Sequence, residues 1–135
     1  MNAEKQLQYV NRQQAERLAN LGFDWELYSF YRNETEVIVG ETKRNFNAQE
    51  WRDWISAPTV AHALKWCRDV KGIRCAVNYE TWWSTRDNKE KSYYTITIKE
   101  VGSKSCGYYE IYEEAENALL DRVIIFLEEK NEQPH

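Results

Sequence analysis

The chain predicts an α+β fold: an antiparallel sheet of two hairpins with helices packed mainly on one face. Three observations lead there. Residues 56–79 spell a helix start, an apolar stripe, a glycine stop and an alternating strand. Two aromatic and β-branched stretches, one before and one after that unit, read as hairpins. A long apolar-faced segment closes the chain.

Each element has a local signature. Residues 1–10 are polar and read as a frayed start or an extra helical turn. Asn11 then looks like an N-cap, with Gln14 as the other half of a capping box. Ala15, Leu18 and Ala19 give a stripe. Gly22 supplies a left-handed stop, past which Phe23 folds back on Leu18. Trp25 to Tyr31 and Glu36 to Val39 form the first hairpin, turning at Arg32 to Thr35 and ending at Gly40. Glu41 to Gln49 is a polar loop holding Phe46, with Trp51, Trp54 and Ile55 at helical spacing to pin it.

Pro58 stops any preceding helix, and Thr59 caps the next. Val60, Ala63, Leu64, Cys67 and Val70 make its stripe, and Gly72 ends it beside Ile73. Ile73, Cys75, Val77 and Tyr79 alternate with polar or small residues, so one strand face is buried. After Trp82 and Trp83 a polar loop, Ser84 to Lys91, leads to an antiparallel strand with Tyr94, Ile96 and Ile98 inward. Gly102 to Gly107 is a turn, and Tyr108 to Ile111 a candidate third strand. Tyr112 to about Lys130 is the last helix. Ala115, Ala118, Leu119, Arg122, Val123 and Phe126 share a face that Leu120, Ile124 and Leu127 widen. Residues 131–135 read as a disordered tail.

At 135 residues the length predicts one domain, 1–135, able to bury a core without staples. Hydrophobic residues are 42% and charged residues 30%, an ordinary globular balance. The absence of a secretory-type apolar run or a membrane-length span predicts a cytoplasmic protein. A net charge of −4 argues against non-specific nucleic-acid binding. Cys67, Cys75 and Cys106 are odd in number and lack C-x-x-C spacing, so free thiols are expected rather than a disulfide framework or zinc.

The chain resembles a loose group of small uncharacterised proteins of phages, prophages and mobile elements, common in gut Bacteroidetes. The likeness lies in Leu18-Ala19-Asn20-Leu21-Gly22-Phe23, in Ser56 to Thr59 followed by Leu64-Lys65-Trp66, and in Tyr112 to Ala115. Cys67 stands where that group has an aliphatic residue, and the Trp82-Trp83 loop is a departure from it. The resemblance implies a bacterial cytosolic setting and carries no activity with it.

The residues point to no catalytic chemistry. His62 lies in the first turn of a helix and reads as a helix-surface residue, and His135 is terminal. No nucleophile elbow, Cys–His signature or glycine-rich phosphate loop is present. Glu110, Glu113, Glu114 and Glu116 suit the N-terminal dipole of the last helix. No cofactor and no metal are expected.

Aromatics are the excess, with six Trp, nine Tyr and four Phe. Adjacent tryptophans on a strand point to opposite faces, so at most one enters the core. Trp82, Trp83, Arg86, Lys89 and Tyr93 are therefore the candidate binding residues, with Lys91 nearby. Three readings stay open: a local aromatic minicore, contact with a host protein or a second copy, and a nucleic-acid or nucleotide site. The expected product is a non-enzymatic accessory protein acting by macromolecular binding. A symmetric homodimer is expected on the aromatic hairpin or the last helix, burying more than about 1,000 Å² and including Trp82, Trp83 or Phe126. Tyr93–Lys99, with one lysine and no proline inside it, is poorly protected if it lies at the edge of the sheet.

Overall fold

A computed structural model describes residues 8–32, 36–48, 53–102 and 107–132. The fold is α+β. In chain order it runs α1 (Arg12–Asn20), β1 (Leu27–Tyr31), β2 (Val37–Arg44), β3 (Ile55–Ser56), α2 (Val60–Asp69), β4 (Cys75–Ser84), β5 (Lys89–Ile98) and α3 (Tyr112–Glu132). The two hairpins do not merge into one sheet. β2-β1-β3 form one antiparallel sheet and β4-β5 another.

The helix signals act as read. Gln14 N–H donates to Asn11 Oδ1 at 2.7 Å, and Asn11 N–H donates to Gln14 Oε1 at 2.8 Å, closing the capping box. Gln14 does more than cap: it is buried, and its Nε2 donates to Asn117 and Asp121 of α3 at 2.6 and 2.8 Å. Gly22 has φ +98°, and Phe23 N–H returns to Leu18 O at 3.0 Å. His62 N–H donates to Thr59 Oγ1 at 3.2 Å to start α2. Ile73 N–H closes its other end on Cys67 O at 3.2 Å.

Several expectations are corrected. Residues 8–10 are neither frayed nor helical: Val10 N–H donates to Pro58 O, Val60 N–H donates to Gln8 O, and Val10 is fully buried. β2 does not stop at Gly40, whose backbone lies against the Phe30 ring, but continues to Arg44 through a register irregularity. Ile55 is not at helical spacing; it pairs with Tyr31 in β3. Trp54 and Phe46 stack on Phe30 at 4.5 and 4.4 Å, a small aromatic stack on that sheet. Trp51 lies outside the described residues. On α2, Val70 is 52% exposed and Trp66 0%, because the helix ends at Asp69 and Trp66 packs on Phe23, ring centroids 5.3 Å apart.

One main apolar cluster joins α1, α2, α3, β1, β4 and β5. Of the residues that the helix stripes and strand alternation point inward, Leu64, Ile96, Ile98, Leu119 and Val123 are buried in it and Val77 packs partly against them. The wide arc of α3 is used inside the chain: Ala115, Leu119, Leu120, Val123, Ile124 and Leu127 are all buried, whereas Arg122 is exposed. Asn131 is helical, not tail. No helix among the described residues is long and apolar enough to cross a membrane.

Candidate functional site

β4 and β5 pair in unbroken register from Cys75↔Ile98 to Ser84↔Lys89. Their length exceeds what the core can cover. Cys75, Ile96 and Ile98 are buried at the base, whereas the residues from Tyr79 to Trp83 on β4 and from Lys89 to Ser92 on β5 are mostly exposed. The outer half of the hairpin is thus an arm, closed by a tight turn at residues 85–88 in which Asn88 has φ 51°. The expected loop of Ser84 to Lys91 contracts to that turn, because the strand alternation continues through it in both directions.

The five candidate residues all sit on this arm. Trp82 and Trp83 point to opposite faces, as adjacent strand residues must, and neither enters the core: they are 49% and 59% exposed. Arg86 is in the turn, and Lys89 opens β5 opposite Ser84. Tyr93 is half-buried and meets Tyr108 edge-on, ring centroids 5.0 Å apart. Lys91 lies directly opposite Trp82, its Nζ 5.9 Å from the indole centroid. Lys91 also forms an ion pair with Asp87, and its hydrogen bond holds the Asp87 carboxyl below the usual carboxylate range. Ser84 Oγ accepts from Asp87 N–H at 3.3 Å and steadies the turn.

The segment after the arm completes a cleft. The candidate third strand is a single bridge: Tyr94 and Tyr109 exchange backbone hydrogen bonds of 2.7 and 2.8 Å. That bridge holds Tyr108, Tyr109 and Glu110 facing Trp82, Lys91 and Tyr93 across an open cavity of about 520 Å³. A smaller one of about 380 Å³ lies around the turn, lined by Trp83 and Arg86 among others. Lys89 lines neither. Tyr108, Tyr109 and Glu110 had no sequence signal as site residues. Only the bridge to Tyr94, which joins distant positions, brings them to the arm.

Both strands of this two-stranded sheet are edges. β5 is covered on its outer side at Tyr94 alone among the described residues, by the bridge to Tyr109. β4 pairs with no strand on its other side among the described residues and is open along its whole length.

The remaining sequence candidates lie elsewhere. His62 is half-buried, its ring 5.0 Å from that of Trp25. Burial, then the charges of Lys43 and Lys65, push its pKa down. Cys67 and Cys75 are buried and free, and Cys106 is outside the described residues. Burial pushes the Cys67 thiol up to about 12 and raises Cys75 as well. No group of three His, Cys, Asp or Glu side chains is placed to hold a metal among the described residues.

No family model, no curated protein and no solved structure matches the chain.

Proposed function

We propose that the protein acts by binding another macromolecule through the outer half of the β4–β5 arm. In this reading it is a non-enzymatic accessory protein of a phage or mobile element, working in the cytoplasm, whose partner is a host protein or a second copy. The observation that carries the reading is the double exposure of Trp82 and Trp83. An aromatic that pins a loop loses its accessible surface to that loop. Here both indoles stay outside, on an arm stiffened by ten paired positions on β4. Rigid exposed aromatics flanked by cations are the residue types that dominate binding hot spots.

The test is comparative capture from host lysate with the wild-type chain and with Trp82→Ala/Trp83→Ala. The reading expects a partner held by the wild type and lost by the variant at equal thermal stability. Capture that survives the double substitution would move the site off the arm.

A second reading rests on the cleft. Trp82 with Lys91 above it, and the exposed Tyr108, offer a stacking platform beside a cation, which suits a base of single-stranded nucleic acid or a nucleotide. The net charge of −4 weighs against it. Quenching of tryptophan fluorescence by an oligonucleotide, weakening as salt rises, would favour this second reading over the first.

A further inference from the structure

We propose that the free edge of β4 is the docking site for a second copy of this chain, paired antiparallel about a two-fold axis at Thr81. The inference rests on the reading of the arm as a binding element and specifies its partner.

The ladder shows which backbone groups are open. Lys99 N–H donates to Arg74 O at 2.8 Å, so position 74 faces position 99 as a hydrogen-bonding pair. Antiparallel ladders alternate. Asn78, Glu80, Trp82 and Ser84 therefore turn their amides toward β5, and Val77, Tyr79, Thr81 and Trp83 turn theirs outward. Tyr94, directly opposite Tyr79, obeys the same alternation: its amide and carbonyl go to Tyr109, away from β4. Along β4 there is no proline, no lysine and no register shift, the usual devices that protect an edge. Its one charged residue is Glu80.

The side chains select the register. An axis at Glu80 would set two carboxylates directly opposite each other, which is unfavourable. An axis at Thr81 removes that conflict. It places Tyr79 of each copy opposite Trp83 of the other, on the same sheet face, twice. Both rings are open to receive the contact, at 61% and 59% exposure. On the opposite face it sets Glu80, which has no ion pair among the described residues, beside Trp82 of the second copy, whose ring already carries the Lys91 ammonium. In this register Glu80 faces no carboxylate, and a cation, the Lys91 ammonium, lies beyond the Trp82 ring on the same face. A specific interface needs about 1,000 Å², and what this register offers to bury is three exposed aromatic side chains from each copy together with the paired backbones. The axis lies beyond the buried base of the hairpin, so the two cores stand apart.

Sedimentation of the full chain at micromolar concentration is the first measurement, and Thr81→Pro the matched variant. The Thr81 amide points out of the hairpin, so proline there removes an intermolecular bond and no β4–β5 bond. The expected result is a dimer for the wild type, and for Thr81→Pro a folded monomer whose unfolding midpoint matches that of the wild type diluted below its dimerisation range. Register is read by oxidising Thr81→Cys with Cys106 replaced by serine. Residues facing each other on an antiparallel ladder lie within disulfide reach, so a covalent dimer is expected at position 81 and none from Thr85→Cys. A wild-type monomer, or a dimer that persists in Thr81→Pro, would overturn the proposal. A monomer that still captures a host protein through Trp82 and Trp83 would sink the second-copy inference alone. A monomer that captures nothing would end the arm reading as well.

Discussion

Tyr79 and Tyr94 face each other across the β4–β5 ladder, their rings 5.4 Å apart, and Tyr94 goes on to meet Tyr112 of α3 edge-on at 5.6 Å. This pair is where the hairpin leaves the core. Toward the base, Ile96 and Ile98 are buried under α3; beyond the pair, Trp82 and Trp83 serve no packing that the chain itself needs. One hairpin thus has a structural half and a half left for contact.

Stability measurements should divide the arm at that point. Ile96→Ala, at a fully buried position, should cost about 2–5 kcal/mol. Measured on the monomer, at a concentration below self-association, Trp82→Ala and Trp83→Ala should each stay within about 0.5 kcal/mol of wild type, as exposed positions do. Denaturant melts of the three variants check this. A loss of core size at either tryptophan would restore the minicore reading.

The last helix carries a second expectation. Leu119 is fully buried among residues of both other helices and the β4–β5 sheet, so Leu119→Ala should cost about 2–5 kcal/mol. Ile125, on the same helix but exposed, should tolerate alanine within about 0.5 kcal/mol. Similar losses at both positions would mean that another surface covers Ile125 in solution.

The helix ends were legible in the chain because their signals are local. Asn11 with Gln14, Gly22 with Phe23, and Thr59 each act within one turn of where they stand. The assembly of the strands was not legible. Nothing near Ile55 or Ser56 says that these two residues will pair with Tyr31 and Phe30. Trp66 is absent from the Val60–Val70 stripe, and its burial depends on Phe23, a partner far away in sequence. The tryptophan pair itself could be read from the chain. The cleft beside it could not, since Tyr108 to Glu110 arrive by a backbone bridge that no side-chain pattern encodes.

The buried thiols should be silent. The thiolate is the reactive form, and with its pKa pushed up to about 12 by burial the Cys67 thiol is almost wholly protonated at neutral pH. Cys75, raised in the same direction, is shielded as well. Site-resolved alkylation should leave both unmodified in the folded chain and label both after denaturation. Native labelling of Cys67 would show that the end of α2 opens far more readily than its packing suggests.

His62 should make stability depend on pH in one direction. Its pKa in the folded chain is below the ordinary 6.5, first because it is partly buried and then because Lys43 and Lys65 repel a third positive charge. The unfolded chain, with an ordinary histidine, therefore takes up the proton at higher pH than the folded chain does. Above about pH 6.5 both states are neutral and the contribution to stability is complete. As pH falls from there toward the lowered folded value, the unfolded state binds more proton and stability declines; below that value His62 adds no further loss. His62→Gln removes the group, so the wild type's stability relative to this variant should shrink between pH 7.5 and 5.5. Carboxylates such as Glu128, held down by Arg17, titrate lower and are common to both proteins, so they cancel in the difference. Urea melts across that interval give the comparison directly, and parallel curves would mean that His62 titrates alike in both states.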